Sequence, residues 1–262
     1  MIHVRINGKI VEAKRGETVL QLAQRLGYEI PNLCYHPALK ADGACRLCLV
    51  EVNNNNPDKP NNITTACTLT VKDKMEILLD TPEVSKHRNT VLEMLVALVP
   101  DSPVLSEMAE KYGLKEIRLA KGDEVCVKCG LCVRICDEVV GANALAMEGR
   151  GTETTFNPPF NEPPDRCVGC TSCAFICPVQ CIPVEKSSDH IKIWGKEFDR
   201  MKCVRCGRSL DLTEEHLALM QTRSPYLKRE DLEVCDVCSR KEILGTMKEV
   251  VEGRITLERV GK

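Results

Sequence analysis

The chain has 262 residues, 17 of them cysteine, against one tryptophan, four tyrosines and four phenylalanines. Its formal charge of −2 becomes more negative once cysteines bind metal as thiolates, which makes a polyanionic nucleic acid a poor partner. The opening MIHVRINGKIVEAKRG has no apolar signal core, and the apolar run 91–99 is broken by Glu93 and far shorter than a membrane span, so a cytoplasmic protein without direct membrane insertion is expected.

Four cysteines lie in the N-terminal third, eight in the centre and four in the C-terminal third, with Cys181 left over. An inventory that nearly closes in sets of four argues for metal sites in a reducing compartment rather than disulfides. So few aromatic side chains imply small modules held by cofactors as well as packing, since the binding energy of a ligand then appears as folding energy.

Residues 1–12 alternate through Ile2, Val4, Ile6 and Ile10 around Asn7-Gly8, a hairpin signal. Thr18 then opens an amphipathic helix carrying Val19, Leu20, Leu22, Ala23 and Leu26, with Gly27 as its stop. Hairpin, helix and cysteine-bearing loop follow the order of a β-grasp domain, placed at 1–79. Cys34, Cys45, Cys48 and Cys67 are separated by ten, two and eighteen residues. Four thiolates suit a 2Fe-2S cluster, although the spacing is not the plant type. His36 is read as a cap of that loop, Gly43 as a close approach of backbone to the cluster, and 53–62 as turn material on the far side of the sheet.

A helical spacer is expected over 80–121, starting at Thr81 with Pro82 in its first turn and carrying Val84, Val91, Leu92, Leu95, Val96 and Val99. A two-cluster domain follows at 122–186, with CVKCGLCVRIC (Cys126, Cys129, Cys132, Cys136) and CVGCTSCAFICP (Cys167, Cys170, Cys173, Cys177, Pro178). In this spacing three thiolates of one loop and the last cysteine of the other copy surround each 4Fe-4S cube. One cube takes Cys126, Cys129, Cys132 and Cys177, the other Cys136, Cys167, Cys170 and Cys173. Asp137 stands where the second copy has proline, so the first loop is expected to continue as helix through Asp137, Glu138 and Val139. Lys128 and Arg134 lie where they could offset cluster charge, and Cys181 is read as a thiol near a cluster.

A strand is expected around Ile191, Ile193 and Trp194. In the last module, 187–262, a helix starting at Thr213 separates Cys203 and Cys206 from Cys235 and Cys238. Two C-x-x-C turns make a closed S4 site of zinc-ribbon type, most simply zinc, with a rubredoxin-type iron or a further cube as alternatives.

The stretch with Cys34, His36, Leu39, Gly43, Cys45, Arg46, Cys48, Val50, Glu51 and Cys67 resembles the N-terminal ferredoxin domain of the large iron–sulfur subunit of respiratory complex I. It equally resembles the diaphorase iron–sulfur subunits of NAD-linked and electron-bifurcating hydrogenases. The resemblance runs on through Asp137, Glu138, Gly141, Arg150, Gly151, Pro158, Pro159 and Phe160. In these families a further His-plus-three-Cys site occupies the spacer, where this chain has VPDSPVL with Ser102 and Val104, so that cluster is not expected.

The fold expected is therefore multi-module α+β, with one 2Fe-2S cluster, two 4Fe-4S clusters and one zinc. No G-x-G-x-x-G or P-loop offers a substrate site. The resemblance implies an electron relay with no substrate-converting site of its own, in a hetero-oligomeric oxidoreductase of transhydrogenase, hydrogenase or formate dehydrogenase type. It would link a flavin-containing NAD(P)H-oxidising subunit to ferredoxin or a further redox subunit. A free-standing carrier and an iron–sulfur regulator are the alternatives.

Overall fold

In the computed structural model, which describes residues 2–53 and 61–251 and side chains as far as residue 244, the first alternating segment forms β1 (Ile2–Ile6). It pairs antiparallel with β2 (Lys9–Ala13) across Asn7-Gly8, where both residues have positive φ (47° and 81°), as a tight two-residue hairpin requires. That turn fixes the register Ile6↔Lys9 and Arg5↔Ile10. Ile10 therefore shares a face with Arg5 and is 67% exposed, while Val4, Ile6 and Ala13 turn inward; the alternation expected through Ile10 slips by one at the turn.

Helix α1 (Val19–Arg25) begins with a capping box between Thr18 and Gln21 and buries Val19, Leu20, Leu22 and Ala23. Leu26 is its C-cap and is exposed rather than buried. β3 (Leu49–Val52), β4 (Asn62–Thr65) and β5 (Glu76–Leu78) complete a five-stranded sheet in the order β2-β1-β5-β3-β4. β5 runs parallel to β1 and the other pairings are antiparallel. Val4, Ile6, Leu20, Leu22, Val50 and Ile77 form the core between sheet and helix. Most of the polar stretch 53–62 lies outside the described residues.

The spacer is two helices, α2 (Pro82–Leu98) and α3 (Pro103–Lys111). Thr81 caps the first, accepting from Val84 N–H at 3.2 Å, and Ser102 caps the second, accepting from Leu105 N–H at 3.4 Å. Val84, Leu92, Leu95 and Val99 are buried. Two buried charges on α2 carry no periodicity signal. Arg88 reaches the carbonyls of Leu49 (Nε 3.0 Å) and Leu79 (2.8 Å), pinning the helix beside Cys48, and Glu93 pairs with Arg118 at 2.6 Å.

After Cys129 the chain enters α4 (Leu131–Arg134), which widens into a π-helix over Ile135–Val140 and ends at Gly141. The expected continuation through Asp137 exists, with the wider winding that gathers at functional positions. β6 (Ala146–Glu148) and β7 (Thr155–Asn157) form a small hairpin, and α5 (Ser172–Ile176) carries Cys173.

The chain divides into two compact units. The first is Met1–Gly141, Leu145–Asn157 and Cys173–Ile182; the second is Ala142–Ala144, Pro158–Ser172 and Pro183–Lys262. The second is built on a four-stranded antiparallel sheet, β8 (Val184–Lys186), β9 (His190–Ile193), β10 (Lys196–Lys202) and β11 (Ser209–Thr213). Trp194 and Gly195, both at positive φ, turn β9 into β10, so the strand expected around Trp194 is a hairpin. Ile191, Ile193, Phe198 and Leu217 are its buried core. Thr213 caps α6 (Glu214–Arg223), and α7 (Arg229–Leu232) leads to α8 (Asp236–Val251). Among the described residues no helix is long and apolar enough to cross a membrane.

Candidate metal centres

Cys34, Cys45, Cys48 and Cys67 come from three separate stretches of the first unit, and all are at least 95% buried. A left-handed Arg46 (φ 56°) bends the chain between Cys45 and Cys48. Inside, Leu33 N–H donates to Cys45 Sγ at 3.5 Å and Cys45 N–H to Cys34 Sγ at 3.3 Å. The thiols pair as Cys34 with Cys45 and Cys48 with Cys67.

In each pair one thiol is driven down and its partner up. Cys45 falls to about 6 because the Cys34 thiol donates to it, and Cys48 falls through Cys67. Cys34 and Cys67 rise, held first by those same partners and then by burial. Mutual repulsion opposes ionising all four, so a cationic centre is what lets the set act as four thiolates. The residues therefore fit a thiolate-held cluster.

His36 Nδ1 accepts from Ala38 N–H at 3.2 Å, the role of a loop cap. Gly43 (φ +72°) is tight against the threonines flanking Cys67, where an added Cβ would meet Thr68 Cγ2 at 3.3 Å and Thr65 Oγ1 at 3.5 Å.

The two C-x-x-C-x-x-C loops share one backbone pattern. Lys128 (55°) and Gly130 (71°) in the first copy match Gly169 (68°) and Thr171 (56°) in the second, each pair flanking the second cysteine at positive φ. Alternating handedness of this kind turns successive N–H groups inward and makes a concavity for an anionic sulfur core. In the first loop Lys128 N–H donates to Cys126 Sγ at 3.3 Å. Cys129 and Cys132 are pushed by burial to about 11 and 12, whereas Cys126 falls to about 7 and Cys177 to about 6 through hydrogen bonds from Cys181. Cys177 is thus gathered with the first loop's cysteines, and Cys181 Sγ lies 3.6 Å from Cys177 Sγ.

Lys128 is turned away, to Glu124 (2.7 Å) and the Thr152 carbonyl (2.7 Å), so its charge is largely offset. Arg134 is directed to backbone carbonyls of the 34–40 loop.

Of the remaining four cysteines, Cys136 and Cys173 belong to the first unit and Cys167 and Cys170 to the second. The second loop is laid on its own unit's sheet. Lys196 Nζ donates to the carbonyls of Asp165 (2.9 Å) and Cys167 (3.3 Å), and Thr213 Oγ1 donates to Val168 O at 2.6 Å. Sequence reading marks Thr213 only as a helix start and does not mark Lys196, because these loop contacts span 29 to 45 positions. Gly169 packs on Phe198, where a Cβ would come within 2.7 Å of the ring.

Cys203 and Cys206 sit between β10 and β11, Cys235 just before α8 and Cys238 in its first turn. Their four sulfurs lie within 4.8 Å of one another, with Cys206 Sγ 3.7 Å from Cys235 Sγ. Cys235 N–H donates to Cys203 Sγ at 3.2 Å, the first cause of a Cys203 pKa near 6, while Cys238 is raised to about 12 by its thiol neighbours.

Comparison with known proteins agrees with this geometry. Residues 1–82 match the 2Fe-2S iron-sulfur cluster binding domain and residues 125–181 the 4Fe-4S dicluster domain. The chain is 31% identical over 240 residues to an NADH-quinone oxidoreductase subunit of Rhizobium meliloti (strain 1021), covering 81% of this chain and 27% of that protein. Over 183 residues it is 34% identical to the NADH-ubiquinone oxidoreductase 75 kDa subunit of Reclinomonas americana (60% and 26% covered). It is 30% identical over 203 residues to the NADPH-Fe(3+) oxidoreductase subunit alpha of Geobacter sulfurreducens (68% and 23% covered). It spans about a quarter of the length of these curated relatives. Among solved structures, a chain of an NAD+-reducing NiFe hydrogenase in its H2-reduced state superposes with a TM-score of 0.53 at 26% identity, covering 60% of this chain and 75% of that one.

Proposed function

We propose that this chain is the electron-relay iron–sulfur subunit of a multi-subunit NAD(P)H-linked oxidoreductase. The observation that carries the reading is the buried thiol set at Cys34, Cys45, Cys48 and Cys67 standing in one chain with two C-x-x-C-x-x-C loops of a single backbone pattern. Similarity to NADH- and NADPH-oxidoreductase subunits and to a chain of an NAD+-reducing hydrogenase supports it.

In this reading a β-grasp domain (1–79) holds the 2Fe-2S cluster and a helical spacer (80–121) leads to a two-cube domain (122–186). The cubes are held by Cys126, Cys129, Cys132 and Cys177, and by Cys136, Cys167, Cys170 and Cys173. Bound clusters supply one-electron storage. The chain's own residues shield the thiolates from water, aim N–H groups at sulfur and fix the loops.

In the last module (187–262) one ion fits Cys203, Cys206, Cys235 and Cys238. Four sulfurs within 4.8 Å of one another suit a single tetrahedral ion, most simply zinc. With four protein ligands and no open position, the zinc is structural.

Partners follow from the same reading: a flavin-containing NAD(P)H-oxidising subunit on one side, and ferredoxin or a further redox subunit on the other. The relay serves an electron-bifurcating transhydrogenase, hydrogenase or formate dehydrogenase. The test is anaerobic purification at native expression. A flavoprotein should co-elute, iron should be about ten atoms per chain, and EPR of the reduced protein should show one binuclear and two tetranuclear signals. A colourless protein, or a lone monomer at native expression, overturns the proposal.

A further inference from the structure

Arg134 lies between Cys132 and Cys136, yet its side chain is spent on the other cysteine domain. Its Nη2 donates to the carbonyl of Cys34 at 2.7 Å and its Nη1 to the carbonyl of Lys40 at 2.6 Å. Four residues further along the same helical segment, Glu138 Oε2 accepts from Lys40 N–H at 3.0 Å. The loop 34–40 is therefore gripped by both backbone groups of Lys40 and by the carbonyl of Cys34, all from one face of the helix that leaves the first cube loop.

A cleft of about 390 Å³ runs alongside this join, with Asp42 and Ala44 on one side and Lys128, Val133, Arg134 and Phe156 among its other lining residues. Arg134 Nε is buried with no hydrogen-bond partner. A buried donor left unmade carries a desolvation penalty, and in a native fold it calls for an explanation. Here the explanation is that the guanidinium is held where its other two nitrogens need to be.

Resting on the relay reading above, we propose that Arg134, seconded by Glu138, is a positioning residue that fixes the 2Fe-2S site at a set distance from the first cube. It also supplies the short bonded route between them: Cys34, one hydrogen bond, the Arg134 side chain, then two residues of chain to Cys132. The step served is one-electron transfer, in which the reduced 2Fe-2S centre is oxidised as the cube is reduced, with no proton or bond exchanged.

The test uses the full chain, cluster-loaded under anaerobic conditions, in wild-type, Arg134→Ala, Arg134→Lys and Glu138→Ala forms. Iron, sulfide and visible circular dichroism confirm loading. A photogenerated deazaflavin radical then injects one electron, and the rate of equilibration between the binuclear and tetranuclear signals is followed; their mutual spin-relaxation enhancement is measured separately in fully dithionite-reduced protein, where both centres are paramagnetic. Loss of two charge-assisted hydrogen bonds should lower the docked population by about tenfold or more, slowing exchange in R134A and weakening the relaxation effect.

R134K keeps the charge but not the fork, so it should remain slow, and E138A should fall between R134A and wild type. Wild-type rates in R134A and E138A, or full recovery in R134K, overturn the positioning role. If loaded wild-type protein exchanges no electron between its centres, the relay reading itself fails. Should R134A lose its clusters, E138A, which leaves the guanidinium in place, decides the question.

Discussion

Gly169→Ala separates backbone strain from steric exclusion in the second cube loop. At φ +68° an alanine carries the left-handed penalty of about 1–2 kcal/mol. The equivalent position in the first loop holds Lys128 at φ 55°, so that penalty alone is tolerated in this fold. The larger effect is contact, since the new Cβ would lie 2.7 and 2.8 Å from two Phe198 ring atoms and 3.1 Å from Thr213 Cγ2.

Phe198 is 2% exposed and cannot swing outward, so overpacking adds about 1–3 kcal/mol. A total of roughly 2–5 kcal/mol is a large share of the margin of a small unit. Trp194, the sole tryptophan, turns β9 into β10 in the same unit and reports its unfolding by fluorescence in denaturant. Phe198→Ala alone should cost about 3–5 kcal/mol. Added to it, G169A should cost only the strain, giving a coupling of about 1–3 kcal/mol in the cycle. An unchanged midpoint in G169A, or purely additive effects, refutes the argument.

Cys203→Ser or Cys235→Ser should release one metal ion per chain, measured by elemental analysis after gel filtration, with the iron count intact. Cys181→Ala should leave iron and sulfide unchanged, because the first cube's set is complete without it; loss of iron would make Cys181 a ligand. Glu93 is held below its ordinary value of 4.5 by Arg118, chiefly through the side-chain hydrogen bond. A carboxylate depressed in the folded state contributes stability above that ordinary value and loses it as pH falls through the folded one. Glu93→Gln should therefore move the acid-unfolding midpoint, followed by far-UV circular dichroism, to higher pH, and coincident curves would exclude the pair as a contributor.

Much of the fold was legible because local chemistry dictates it. Asn7-Gly8 made the hairpin, Thr18, Thr81 and Thr213 capped helices, Thr81 with proline and Thr213 with acidic residues in the first turn, and Asp137 in place of proline let the helix run on. The cysteine spacing likewise marked which thiols gather at Cys203, Cys206, Cys235 and Cys238. What escaped was non-local. Ile10 looks apolar and inward until the turn sets the register, and Arg88 and Glu93 look like surface charges until their partners arrive from Leu49 and Arg118. Arg134 was legible as a charge inside a cluster loop. Its destination 100 residues away at Cys34 was not.

The matched handedness of the two cysteine loops has a practical corollary. If each loop holds a cube, as proposed, their shared backbone handedness leaves any gap between the two midpoint potentials to neighbours that differ: a lysine turned to Glu124 and an arginine near one, a glycine under an aromatic ring and a lysine on backbone carbonyls near the other. In that reading, exchanging those neighbours while leaving every thiolate alone should retune one cube against the other.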